Sequence, residues 1–495
     1  MKYISTRGSN QHMTSAQAII AGLAEDGGLF VPEELPQVDL SFIEGLTGLS
    51  YQERAAKVFS CFLTDYTAEE IRGCVERAYG GGKFDDETIA PLNIMEDVSV
   101  LELWHGPTSA FKDMALQLLP QLLSTALKKT GEKNQVLILV ATSGDTGKAA
   151  LEGFKDVEQT KIIVFYPENG VSRIQRLQMV TQQGSNVAVT AVRGNFDDAQ
   201  SGVKAIFSDK AFNEELHKNG AALSSANSIN WGRLVPQIVY YFSAYADLLK
   251  AGRIKAGDKI SFTVPTGNFG DILAGYYAMR MGLPVKKLIC ASNTNNVLTD
   301  FLRTGVYDRN REFFKTISPS MDILISSNLE RLLYHVVDDA GQVAEWMSSL
   351  AEKGSYDIGA ENLQKIQAVF GFDWADDTKT MDTISSIYDK KHYIADPHTA
   401  VAWNSAYHYM AEGNSEPMVV VSTASPYKFN ESVLTAFGHS TAGFDEFQLL
   451  DKLQAMNSFP IPAGLASLKN SAVRHSQLVD KTAMKQAVAG FAAGK

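Results

Sequence analysis

Lys112 lies in the run His105–Asp113, HGPTSAFKD. A lysine in a turn of small residues ordinarily points at water. This one follows a Gly-Pro turn and Phe111, and Asp113 follows it. An ammonium held beside apolar groups gives up its proton more readily, and the neutral amine serves as a base or as a nucleophile that forms a Schiff base with a carbonyl. Two other loops offer the complementary chemistry, binding of an anion. TSGDTG (142–147) and TGNFGD (266–271) each follow an apolar run and precede a helical one. Such a loop presents backbone N–H groups at a helix N-terminus, and glycine lets the backbone approach a ligand with no Cβ in the way.

Neither loop fits a nucleotide-binding pattern. TSGDTGK has Thr142 where a P-loop has its first glycine, and Ala149 where the magnesium-binding Ser or Thr would follow the lysine. GNFG has two glycines three apart, short of GxGxxG. Taken singly, each feature has a plain structural reading: a surface lysine at a helix start, or a strand–helix turn. Taken together, a Schiff-base lysine, a loop for a phosphate and a polar partner for a ring nitrogen are what pyridoxal phosphate requires of a protein.

The surrounding elements must bring these residues together. From about residue 97, short Val/Ile-rich runs alternate with helical stretches: QVLILVAT before SGDTGKAALEGF, KIIVFYP before SRIQRLQMVTQ, NVAVTAV before FDDAQSGVKAIFSD, and KISFTVPT before GNFGDILAGYYAMRMG. This rhythm predicts an α/β protein with parallel or mixed sheets flanked by helices, and ligands sit beyond the carboxyl ends of such strands. EPMVVVSTASPYKF reads as a further buried strand running into a polar turn, and WGRLVPQIVYYFSAYADLLKAG as a long helix whose Tyr240, Tyr241, Phe242 and Tyr245 pack. The first 95 residues read as helices and loops, with Thr67 capping one helix. The expected division is an N-terminal segment over 1–95 and a two-domain core over 96–495, the smaller α/β unit at about 135–225.

Composition narrows the function. The 495-residue chain carries a net charge of −11, against nucleic-acid binding, which rests on Lys and Arg neutralising phosphates. Its three cysteines form no CxxC pair, and its nine histidines form no HExxH or other ligand pair, so neither a disulfide framework nor a metal is expected. No run approaches the roughly 18 apolar residues of a membrane span, and the start of the chain lacks an apolar signal core. A cytoplasmic protein with reduced thiols is the expectation.

HGPTSAFKD is similar to the lysine motif of the threonine synthases, HGPTxAFKD. STRG (5–8), GLAEDGGLFVP, ATSGDTGKAA, ANSINWGR, PTGNFGDILAGYYA, SNTNNVLTDF and STASPYKF resemble that family in the same order, from residue 5 to beyond 428. The length and STASPYKF resemble its long, bacterial and fungal branch. The resemblance implies fold type II of the pyridoxal-phosphate enzymes, related to the tryptophan synthase β subunit, with two core domains plus the N-terminal segment. It implies that Lys112 carries pyridoxal 5′-phosphate, with Ala110 and Phe111 packed nearby. Gly267, Asn268, Phe269 and Gly270 would hold the cofactor phosphate through backbone N–H groups. Asp271 would cap the helix or bond loop amides, since a carboxylate repels a phosphate. Thr423 would meet the pyridine nitrogen. Ser143, Asp145 and Thr146 would grip the substrate α-carboxylate; Arg233 and Lys428, assisted by Asn227 and Ser228, would meet the substrate phosphate. His105 either shuttles a proton or fixes the loop that aims Lys112.

The implied reaction converts O-phospho-L-homoserine and water to L-threonine and phosphate, by γ-elimination and addition of water at Cβ, with a domain closure on substrate binding. Two alternatives stand beside it: a phospho-lyase giving 2-oxobutyrate and ammonia, and a catalytically silent relative that uses the fold for binding. The partners expected are a small-molecule substrate and either none or one further copy of the chain, as monomer or homodimer.

Overall fold

The structure is a computed structural model, described for residues 1–142, 144–169, 171–456 and 459–494. The alternating runs form two sheets. The larger has six strands in the spatial order Phe370–Trp374, Val285–Ser292, Ile260–Pro265, Met418–Ser422, Ser99–Glu102 and Leu92–Ile94. Its neighbours run parallel, except that Leu92–Ile94 pairs antiparallel with Ser99–Glu102. The smaller sheet is parallel throughout, in the order Gln477–Val479, Val187–Val192, Thr160–Pro167, Gln135–Ala141 and Ala221–Ser224. Its edge strand Gln477–Val479 returns from the far end of the chain, outside the span 135–225.

The central strands are continuous hydrophobic runs because helices cover both faces. In Met418–Ser422, Val419 and Val421 join the cluster that contains Tyr241 and Phe242 of the Trp231–Lys250 helix. Met418 and Val420 join the opposite cluster, around Trp403 of the Pro397–Ala411 helix. This is the two-residue alternation of a strand, with both sets buried.

The predicted runs are strands, but four strands of these two sheets carry no such signature: Leu92–Ile94, Ala221–Ser224, Phe370–Trp374 and Gln477–Val479. All four are sheet edges, three to five residues long and largely half-buried or exposed. An edge strand packs on fewer neighbours, so its sequence needs less apolar character and pairing alone recruits it.

In the N-terminal segment, helices Ser15–Ala21, Tyr51–Phe62 and Ala68–Tyr79 form as predicted, the last capped by Thr67 in a capping box with Glu70. The segment also holds an antiparallel pair, Tyr3–Ser5 with Phe30–Pro32, where helix and loop alone were expected. Its core runs into the rest: Tyr3 and Phe62 both pack on Trp231. Among the described residues no helix is long and apolar enough to cross a membrane, and the three cysteines are free thiols.

This topology brings the chemistry together. Ser99–Glu102, Met418–Ser422 and Ile260–Pro265 are adjacent strands. The loops leaving their carboxyl ends carry Lys112, Thr423 and GNFGD, and TSGDTG leaves the carboxyl end of Gln135–Ala141 in the smaller sheet.

Candidate active site

Lys112 opens the short helix Lys112–Leu116. The turn before it is held by the carboxylate of Asp113, which accepts from the Thr108 N–H and hydroxyl, both at 2.8 Å. Gly106 is required there, because a Cβ would fall 2.5 Å from the Asp113 Cβ and 2.6 Å from Oδ2. The loop is also tied to the end of the adjacent strand: the Phe111 N–H donates to Thr423 O at 2.8 Å and the Ser425 N–H to Ser109 O at 3.1 Å. Burial raises the Asp113 carboxyl to about 6, against the lowering effect of its Thr108 bonds. His105 is gripped at both nitrogens, by Asp85 at 2.6 Å and Glu102 at 2.9 Å, and stacks on Trp104. Burial opposes its charge, yet the two carboxylates outweigh burial and raise it to about 9. His105 therefore anchors the loop.

The Lys112 amine is buried and donates to Ser320 Oγ at 3.2 Å. Desolvation brings it down to about 8; Asp145, 3.7 Å away, opposes the shift, while Arg233 and Lys428 add to it. Asp145 is the hub. Its Oδ1 meets Lys428 Nζ at 2.7 Å and the Gln175 amide at 3.0 Å; its Oδ2 faces Lys112 and accepts from Ser320 at 3.4 Å. Burial pushes this carboxyl up, but Lys428 and Lys112 outweigh burial and hold it well below the usual carboxylate range. Asp145 was expected to grip a carboxylate; as a buried anion it would repel one, so it is instead the counter-ion of two lysines. Lys428, expected to meet a phosphate, is engaged by Asp145 and by Thr108 O at 2.9 Å.

Arg233 is different. Its guanidinium is buried on the first turn of the Trp231–Lys250 helix and donates to Ala226 O at 3.0 Å. No carboxylate pairs with it among the described residues, and desolvation alone lowers it to about 10. A buried cation without a counter-ion is a standing site for an anion. Ser228 meets Ser327 at 3.1 Å, and Ser327 donates to Asn268 Oδ1 at 3.4 Å, which links this loop to GNFGD. Asn227 is exposed. Thr146 is half-buried in the first turn of the Asp145–Phe154 helix; Ser143 lies outside the described residues.

The GNFGD loop opens the Gly270–Met281 helix with Phe269 in the left-handed region, φ 58°. None of the Gly267, Asn268, Phe269 or Gly270 N–H groups donates to a protein acceptor among the described residues. Gly267 has no room for a side chain: a Cβ would lie 2.7 Å from Ser320 O. Asp271 neither caps the helix nor bonds loop amides, as was expected of it. Its Oδ1 accepts from Tyr240 at 2.6 Å and Tyr241 at 2.8 Å, and burial raises it to about 6 despite both hydroxyls. The hydroxyls of Ser109 and Ser425, in the loops flanking Lys112 and Thr423, are buried without partners. Four free amides, a cradle that admits no Cβ, two orphaned hydroxyls and a buried amine fit a phosphate-bearing carbonyl cofactor.

Ser320, Gln175 and Thr108 join this site without having been singled out in the sequence. Thr108 lies inside the lysine motif, but its partner Asp113 is visible only once the turn is folded. Ser320 (in SPSMD) and Gln175 (in SRIQR) carry no pattern that separates them from other polar residues.

The class follows from the fold and this amine. Residues 93–361 match the family profile described as "Pyridoxal-phosphate dependent enzyme", and pyridoxal 5′-phosphate is the cofactor. On either side, residues 2–79 match "Threonine synthase N terminus" and residues 399–488 match "Threonine synthase, C-terminal". The chain is 42% identical over 436 residues to the threonine synthase of Pseudomonas aeruginosa, covering 88% of this chain and 90% of that one. It superposes on the crystal structure of PLP-bound threonine synthase from Brucella melitensis with a TM-score of 0.88 at 39% identity, covering 99% of each chain. The human protein "Threonine synthase-like 1" is 42% identical over 433 residues; the match covers 85% of this chain but 58% of that protein's length. The chain belongs to the threonine synthase family.

Proposed function

We propose that this chain converts O-phospho-L-homoserine and water into L-threonine and phosphate. The observation that carries the reading is a buried amine, lowered to about 8, beside a buried Arg233 that has no carboxylate partner among the described residues. A base poised near neutral pH and an anion site lie within Coulombic reach of each other.

Pyridoxal 5′-phosphate, when bound, supplies the electron sink that makes the substrate's Cα and Cβ protons removable. Lys112 holds the cofactor and, as the free amine, takes those protons and returns them. Gly267, Asn268, Phe269 and Gly270 would hold the cofactor phosphate by their N–H groups, and Thr423 would meet the ring nitrogen. Arg233 pairs with the substrate phosphate through its planar fork, with Ser228 and Asn227 at its edge. Ser143 and Thr146, with the N–H groups at the start of the Asp145–Phe154 helix, would take the α-carboxylate. Asp145 keeps Lys428 and Lys112 oriented and charged until the substrate's own anions arrive.

We read the chain as a unit over 1–95 and a core over 96–495 with a smaller part at about 135–225, closing on its substrate. We place it in the cytoplasm, because three free thiols suit a reducing compartment, and we expect a monomer or homodimer. The test is product analysis after incubation with O-phospho-L-homoserine. Threonine and phosphate in equal amounts are expected; 2-oxobutyrate and ammonia without threonine would identify a phospho-lyase, and no turnover a silent relative.

A further inference from the structure

A segment outside every motif reaches the reacting amine. Between the Val306–Asp308 strand and the Leu329–Val337 helix, the chain makes a short 3-10 turn, Pro319–Met321. Ser320 of that turn stands 3.2 Å from Lys112 Nζ and 3.4 Å from Asp145 Oδ2. Its carbonyl lies against Gly267 of the phosphate loop.

Donor accounting fixes the direction of these bonds. Asp145, held ionised by Lys428, only accepts, so the Ser320 hydroxyl donates to it and offers its lone pair to Lys112. The turn is itself held from behind. The Ser320 N–H donates to His398 Nε2 at 3.1 Å, so that nitrogen carries no proton and the proton sits on Nδ1. Nδ1 meets Asp396 Oδ1 at 2.7 Å, and Asp396 is fully buried and also accepts from the His398 N–H at 2.9 Å. His398 lies at the start of the Pro397–Ala411 helix and packs edge-on to Phe429, beside Lys428. On the other side, Asn293 donates to Ser318 Oγ at 3.0 Å and to Asp322 Oδ1 at 2.8 Å, which pins the turn at both flanks.

We propose that Ser320 is a further catalytic residue, its hydroxyl aiming the Lys112 amine, and that His398 with Asp396 is the positioning pair that holds Ser320 in place. One N–H of Lys112 is thereby committed, so the lone pair of the neutral amine is restricted to the two remaining positions. The charges facing that amine are Asp145 from the Asp145–Phe154 helix, Arg233 from the Trp231–Lys250 helix and Lys428 from the 426–429 turn. Ser320 is its one neutral polar contact among the described residues. The inference rests on Lys112 being the reactive amine, so its test reads that amine directly as well as turnover.

In full-length cofactor-free protein, the midpoint of Lys112 acetylation against pH is followed by mass spectrometry. In holoenzyme, kcat and KM are measured beside it. Ser320 accepts from the charged amine, so Ser320→Ala removes an interaction that favours the charge, and the midpoint falls by roughly one pH unit. In the holoenzyme kcat falls about tenfold or more while KM holds within about twofold. Ser320→Thr keeps the hydroxyl and restores both. His398→Ala lowers the midpoint in the same direction and adds little to Ser320→Ala, and His398→Gln, which retains an acceptor, recovers part of the shift. If Ser320→Ala and His398→Gln leave both midpoint and kcat at wild-type values and lower only the melting temperature, the turn is merely a structural anchor and the proposal is overturned. If wild-type Lys112 itself reacts like a surface lysine, the reading of the active site fails, which is a separate result.

Discussion

TSGDTG and TGNFGD look alike in sequence: each leaves a parallel strand, opens a helix and puts an aspartate on its first turn. Folded, the two aspartates have opposite fates. Asp271 turns into the core, where burial outweighs the Tyr240 and Tyr241 hydroxyls and raises it to about 6. Asp145 turns into the site, where Lys428 and Lys112 outweigh the same burial and hold it ionised. One loop clears its amides of negative charge and so suits a phosphate. The other brings a carboxylate to two lysines and so sets the charge of the amine that reacts. A motif specifies the backbone donors; the partners of one side chain decide what the loop does with them.

The largest effect belongs to the amine that both loops serve. Lys112→Ala is expected to lower kcat by more than about 10³-fold with threonine as the readout, because the other buried amine of the site, Lys428, is held by Asp145 and Thr108 O. Asp145→Asn comes next. It leaves Lys428 buried without its counter-ion, which costs about 3–5 kcal/mol of stability on a denaturation curve. It also removes the carboxylate that favours the Lys112 charge, so the labelling midpoint of Lys112 drops below its starting point of about 8. A rise in that midpoint would contradict the role given to Asp145.

On the other loop, Gly267→Ala drives a Cβ to 2.7 Å from Ser320 O. Both groups are backbone and cannot swing aside. Cofactor affinity is expected to fall about tenfold or more in an absorbance titration. The smallest effect separates the aspartates by pH. Asp271 has its folded value raised, from 3.8 to about 6. Its contribution is present below about 4 and fades as pH rises through 6, since the unfolded chain releases the proton first. Asp145 has the opposite sign: its contribution is present above 3.8 and fades in acid. Melting curves of Asp271→Asn and wild type should therefore converge or cross between about pH 4 and 6, in the direction that favours the variant as pH rises.

Sequence made the buried centre of the molecule legible and its margins illegible. Val419, Val420 and Val421 declare a strand covered on both faces, but Leu92–Ile94 is a three-residue, half-buried edge, and Gln477–Val479 is an edge whose pairing partner, Val187–Val192, lies in distant chain. In the site, HGPTSAFKD and GNFGD identified the amine and the free amides because backbone chemistry is local. The partners of Asp145, Asp271 and Lys428 are not legible in the sequence because they lie far along the chain, as in Tyr240–Asp271 and Asp145–Lys428. Ser320 was invisible for the same reason: its partners Lys112 and His398 lie 208 and 78 residues away.

The most direct test of the convergence on Lys112 is borohydride reduction of the holoenzyme followed by peptide mapping. A single pyridoxyl tag on Lys112, lost in Lys112→Ala and retained in Asp271→Asn, is the predicted result. A tag on another lysine, or none on a protein that still turns over, would contradict it.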